Sequence, residues 1–167
     1  MQLVCPAGNL PALQAAVDAG ANAVYAGFRD QTNARAFPGL NFSDDELRAG
    51  VRYAHAKGAK VYLALNTYPD SARVRDWYSA VDKAAALGCD AIIAAEMAVL
   101  DYAARTHPGL PRHLSVQGSA TTAPALKYAF ERFGISRAVL PRVLSLQQVE
   151  RLCERSPRFV LADDRRV

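Results

Sequence analysis

Guanidiniums, carboxylates, amides and hydroxyls recur at one kind of place in this sequence, just past a short apolar run. Asn9 follows the run at 3–5. Asp30, Asn33, Arg35 and Asn41 lie in the long polar stretch after 23–26, and Asn66 with Thr67 ends the run at 60–66. Glu96 follows 91–95, Gln117 and Ser119 follow 113–116, and Arg142 follows 138–140. Arg35 and Arg142 have the planar fork that grips a carboxylate or phosphate bidentately. The amides and Ser119 supply neutral donors and acceptors around them. Glu96 is the candidate general acid or base. Any one of these residues could instead cap a helix or satisfy a loop backbone; the set together reads as a site.

The histidines point elsewhere. His55 lies within a helical pattern, His107 ends one, and His113 opens an apolar run. The last two therefore belong to the end of the fold opposite the residues above, and none suits a Ser–His or Cys–His pair there. No H-E-x-x-H and no Cys/His spacing typical of zinc occurs, so no metal ligands are assigned. Carboxylate-based chemistry stays open.

What must position these side chains is an alternation of helix and strand. Four times a helical pattern ends at glycine and an apolar run follows at once: Gly20, Gly58, Gly88 and Gly134. Glycine just past a helix accepts the left-handed cap that other residues resist. The runs read as strands buried on both faces, hence parallel. Helices are expected from Asn9 to Gly20, from the capping box Ser43–Glu46, over 73–87, over 97–106, over 124–133 and from a second box, Ser145–Gln148. A seventh strand is expected at 159–161. Pro6-Ala7-Gly8-Asn9 is not the glycine-rich dinucleotide fingerprint, which disfavours an open doubly wound sheet. The expected class is α/β, an incomplete (β/α)8 TIM-like barrel of six to seven parallel strands, in one domain over 1–167. Such a barrel puts its chemistry at the carboxyl ends of the strands. It also leaves sheet edges open, so a homo-oligomer or a partner chain is expected to cover them.

Composition adds bounds. The net charge of +4 comes from basic residues scattered along helical patterns, which argues against a nucleic-acid stripe. No apolar stretch approaches the roughly 20 residues of a membrane span. Three widely spaced cysteines, Cys5, Cys89 and Cys153, argue against a disulfide framework and for a reducing, cytoplasmic setting.

Several segments together carry a resemblance: CPAGNLPAL at 5–13, GANAVYAG at 20–27, NFSDDEL at 41–47, LNT at 65–67, LSVQGSAT at 114–121 and RAVLPRVLSLQQV at 137–149. In this order and spacing they resemble the collagenase-like peptidase U-32 family. The loop DQTNARAFPGLNF at 30–42 is most similar to the UbiU branch, and Val143, where many relatives have Glu, agrees with it. The resemblance implies a part in oxygen-independent hydroxylation of the ubiquinone ring, with a UbiV-like partner subunit and prephenate as oxygen source. Other branches imply collagenase-like peptidase activity or RNA base hydroxylation; the open sheet edges separately leave a non-catalytic binding or assembly role as an alternative. The resemblance also implies a 4Fe-4S cluster held by four cysteines beyond the segment matching the sixth helix. Cys5, Cys89 and Cys153 do not match those positions, so no cofactor is assigned to this chain. The chain is expected to be the N-terminal portion of a longer family protein.

Overall fold

The computed structural model describes residues 2–155 and 160–163. Strands and helices alternate throughout. They are β1 (Val4–Pro6), α1 (Leu10–Asp18), β2 (Ala23–Ala26), α2 (Asp44–Ala56), β3 (Lys60–Leu65), α3 (Val74–Ala86) and β4 (Ala91–Ala94). Then come α4 (Met97–Thr106), β5 (Arg112–Leu114), α5 (Ala123–Phe133), β6 (Arg137–Leu140), α6 (Leu146–Arg155) and β7 (Val160–Asp163). The helix starts follow their caps. Asn9 Oδ1 accepts from Ala12 N at 2.9 Å, and Ser43 with Glu46 closes a capping box whose two bonds are 3.3 and 2.8 Å. Ser145 and Gln148 repeat the box at α6.

All strands are parallel and lie in chain order, β1 through β7. The order never reverses, as it must in a doubly wound sheet. The sheet also curls. Arg137 on β6 donates to the side-chain oxygen of Gln2, just before β1, at 2.5 Å. In a flat sheet five strand spacings would hold those strands about 24 Å apart. Gln2 in turn donates to the hydroxyl of Tyr62 on β3 at 3.3 Å. One side chain thus ties three separated strands across the concave side, and the architecture is a partial barrel.

The two sheet faces differ. Val24, Ala26, Val61, Leu63, Leu65, Ile92, Ala94, Ala138 and Leu140 face the helices in one continuous apolar core. The concave face carries Ala23, Tyr62 and Ala91, flanked by Val4, Tyr25 and Ile93. Parallel register places Pro6, Tyr25, Tyr62 and Ala91 in one row and Ile93, His113 and Arg137 in another. At the amino-terminal end of the strands Arg112 is buried. It donates to the carbonyls of Phe133 and Leu110 at 2.8 and 2.7 Å and of Gly134 at 3.3 Å. A guanidinium satisfies there the last carbonyls of α5 and of the turn before β5. Gly134 closes α5 at φ 60°, the left-handed cap foreseen from its position.

Three details differ from expectation. The fifth strand is Arg112–Leu114 instead of 113–116, because Ser115 accepts from Gln117 N at 3.3 Å and turns the chain into a 3-10 turn at Val116–Gly118. The seventh strand is Val160–Asp163; Phe159 lies outside the described residues. His113 is the second residue of its strand and does not open it. It is buried on the concave face, its ring edge-on to Tyr62 with centroids 4.8 Å apart.

The stretch between β2 and α2 is closed by an internal clasp. Phe28 and Phe42 form an isolated parallel bridge at its two ends, both side chains buried. Between them Asn33 Nδ2 donates to Asn41 Oδ1 at 2.9 Å, and Asn41 Nδ2 donates to the Arg35 carbonyl at 2.6 Å. Asn33 Oδ1 accepts from Arg35 N at 3.1 Å. Asn41 holds φ at 73°, a conformation asparagine tolerates better than most residues. Gly27 must lack a side chain, since a methyl there would lie 2.2 Å from Asn33 Nδ2.

Two outcomes follow from this framework. Asn33→Ala, which strips partners from a buried amide and a backbone N–H, should lower unfolding free energy by about 1–3 kcal/mol in urea titrations. Gly27→Ala should cost at least as much alone and less in the Asn33→Ala background, where the blocking amide is gone. The second outcome concerns pH. Burial, with Arg137 and Lys60 nearby, pushes the His113 imidazole down to about 4 from its ordinary 6.5. Between those values the unfolded chain binds a proton that the folded chain refuses. Stability therefore rises with pH across that window and is lost as pH falls, by up to roughly 3 kcal/mol. Urea midpoints at about pH 7.5 should exceed those at about pH 4.5, and His113→Phe should shrink the difference.

Candidate active site at the carboxyl rim

Because every strand runs the same way, all β→α connections open on one rim. Asn9, the 27–42 loop, Asn66, Glu96, Gln117 with Ser119, and Arg142 each follow a different strand onto it. Asn9 caps α1. Glu96, half-buried, caps α4 through a 3.2 Å bond from Ala98 N. The start of each helix is thus turned toward the rim, where its free N–H groups favour negative charge.

The connections are stitched to one another. Asn66 Oδ1 accepts from Ala34 N at 3.0 Å, and Thr67 Oγ1 donates to the Gln31 carbonyl at 2.5 Å, so the loop after β3 holds the loop after β2. Tyr68 Oη donates to the Gln117 carbonyl at 2.7 Å, linking β3 to β5. Asn41 N donates to the Gly8 carbonyl at 2.5 Å, linking β2 to β1. Arg35 reaches back to the concave face, where Nη1 donates to the Tyr25 hydroxyl at 3.0 Å.

The residues singled out from sequence divide accordingly. Asn33 and Asn41 are buried and occupied with the clasp, Asn66 carries the neighbouring loop, and Asn9 caps its helix. Arg35, Gln117, Ser119 and Arg142 are exposed, and the Gln117 side chain makes no hydrogen bond among the described residues. Glu96 is the acidic side chain set directly between β4 and its helix. Tyr25 and Tyr68 were missed. Tyr25 could have been found from the alternation of Ala23-Val24-Tyr25, which places it on the concave side. Nothing in the sequence signals the reach of Tyr68. Phe37, Leu40, Tyr68 and Val143 on the rim connections, with Met97 and Leu146 at the first positions of α4 and α6, are large and exposed. A cavity of about 400 Å3 lies to one side, lined by Phe28, Arg29, Asp30 and Phe42 with the first turn of α2.

The remaining reactive groups lie away from the rim. His55 pairs with Asp90 at 2.8 Å and His107 with Asp82 at 2.7 Å, both near the carboxyl ends of helices. Cys5 lies in β1, Cys153 is exposed on α6, and buried Cys89 precedes β4 with its thiol pushed up to about 12 by burial. A cluster ligand must be a thiolate, which burial of Cys89 opposes. Among the described residues no group of three or more His, Cys, Asp or Glu could hold a metal ion. The residues present do not fit an iron–sulfur cluster. No described helix is long and apolar enough to cross a membrane.

Known proteins resemble this chain in sequence or in fold. The tRNA hydroxylation protein P of Escherichia coli is 31% identical over 161 residues, covering 93% of this chain and 34% of that protein. An uncharacterized protease of Methanocaldococcus jannaschii is 34% identical over 92% of this chain and 36% of its own length. A collagenase of Porphyromonas gingivalis is 33% identical over 92% and 36%. The chain spans about a third of the length of these relatives. Among solved structures, the U32 peptidase Mk0906 superposes with a TM-score of 0.78 at 17% identity, over 98% of this chain and 68% of that one. Thiamine phosphate pyrophosphorylase from Pyrococcus furiosus follows the same fold, with a TM-score of 0.67 at 13% identity over 97% of this chain and 73% of that one. The profile of peptidase family U32 fits residues 8–161, and the chain belongs to that family.

Proposed function

We propose that this chain provides the substrate-holding part of a barrel in a U32 hydroxylation protein of the UbiU type, acting in oxygen-independent ubiquinone biosynthesis on or with a small carboxylate such as prephenate. One observation carries the reading. The rim connections carry Arg35, Arg142, Glu96 and neutral amides, while all three histidines lie away from them. A serine or cysteine peptidase needs a base within reach of its nucleophile, and the rim hydroxyls of Ser115 and Ser119 have no imidazole beside them. Arg35 and Arg142 instead suit an acidic ligand, and exposed apolar side chains such as Phe37 and Tyr68 on the same connections suit the ring such a ligand carries. The likeness of loop 30–42 to the UbiU branch supports the ubiquinone pathway, and the outer edges of β1 and β7, which pair with no further strand among the described residues, suit a UbiV-like partner or further chain. The redox step belongs to groups outside these residues.

A second reading, hydroxylation of tRNA, is favoured by relatives bearing the name tRNA hydroxylation protein P in Escherichia coli and Helicobacter pylori. One strain separates the two. In anaerobic cells lacking both endogenous activities and supplied with this protein and a UbiV-like partner, ubiquinone should return while hydroxylated tRNA should not. The opposite result installs the tRNA reading. Cleavage of gelatin by the purified protein, lost in Glu96→Gln, would install the peptidase.

Arg35→Ala and Arg142→Ala should each lower ubiquinone formation about tenfold or more, the loss expected for one charge-assisted contact. Full activity in both would remove the carboxylate assignment. Glu96→Gln keeps an acceptor for Ala98 N, so its melting temperature should stay close to that of the parent. Its turnover should fall about 100-fold or more, because an amide cannot carry the proton.

A further inference from the structure

The concave face holds a second group of basic side chains that the rim does not use. Arg137 lies with its guanidinium carbon 5.6 Å from the centre of the Tyr62 ring, and His113 packs edge-on against the same ring. Lys60, first residue of β3, adds its charge to that of Arg137 in acting on His113. No carboxylate pairs with Lys60 or Arg137 among the described residues. Elsewhere the pattern is mixed: Arg52 and Arg75 on helices also have no carboxylate partner among the described residues, whereas eight other basic residues do. Arg29, Arg48, Lys57, Arg73, Lys83, Arg105, Lys127 and Arg132 each face an Asp or Glu.

Arg137 bonds instead to the neutral amide oxygen of Gln2, which uses one donor of a five-donor fork. Gln2 and Tyr62 hold the guanidinium in place from two sides. Two cations beside a buried imidazole, with no anion among them, repel one another in a region of reduced dielectric. Such an arrangement is stabilised when an anion enters. Arg137 is half-buried and Lys60 exposed, so the group can be reached from solvent.

We infer that Arg137, Lys60 and His113, grouped around Tyr62 on the concave face, form a binding site for an oxyanion, a carboxylate or phosphate group. The guanidinium fork takes two of its oxygens. Lys60 supplies a second charge, and neutral His113 donates one ring N–H. The site uses neither Arg35 nor Arg142 and does not depend on which reaction the rim performs.

Titration of the protein with inorganic phosphate, with malonate and with chloride at constant ionic strength tests this. Phosphate or malonate should raise the melting temperature and bind saturably by calorimetry, while chloride should do neither. The stronger of the two identifies the oxyanion class. Arg137→Gln and Lys60→Gln should each weaken that binding about tenfold or more. Arg48→Ala, on the exterior, should leave it unchanged. Because Arg137→Gln could also loosen the barrel, ring 15N chemical shifts of His113 in the unsubstituted protein supply an independent readout and should move with saturation. A chloride response equal to that of phosphate, binding that survives both substitutions, or a His113 signal that stays fixed at saturation would each overturn the site.

Discussion

Each strand of this chain is hydrogen-bonded in parallel to the one before it, and that constraint leaves the chain a single way back, over a helix. Parallel neighbours cannot be joined by a tight turn. Because the crossover has one hand, successive helices stay on one face. The opposite face is then covered only by curling on itself, with Gln2 bridging Tyr62 and Arg137 in the space enclosed. The rim is a by-product of the same geometry. Loops that share nothing in sequence arrive side by side because their strands do.

The rim's polar groups do two kinds of work. Asn33, Asn41 and Asn66 are held by backbone groups and each other, and they give the connections after β2 and β3 a fixed shape. Arg35 and Gln117 project from that scaffold. A loop of this length would ordinarily be mobile; the amide clasp and the Phe28–Phe42 bridge fasten it instead. Rigid support beneath a few projecting side chains is what a binding site needs if it is not to lose affinity to ordering.

Element types and order were legible in the sequence because local signals agreed with the fold. The capping boxes at Ser43 and Ser145 and the cap at Asn9 mark helix starts, and Gly134 marks a helix end. The parallel barrel class also followed from the alternation, and the family likeness from quoted segments. What escaped was contact between residues far apart in the chain. Nothing near His113 tells that Tyr62 covers it, and nothing near Arg35 tells that Tyr25 receives it. Asn33 and Asn41 were recognisable as polar loop residues. Their burial depends on Gly27 lacking a side chain, a relation visible only in three dimensions. The end of β5 was misplaced because a serine hydroxyl outcompeted strand propensity at Val116.

The bond between Gln2 and Arg137 spans 135 positions of the chain. During synthesis the amino-terminal strand emerges long before its counterpart on β6. Neighbouring strand–helix units can assemble as they appear, since each contacts the one just made. Curling cannot be completed until that distant arginine has left the ribosome. Gln2 therefore receives one of its ties long after it is made.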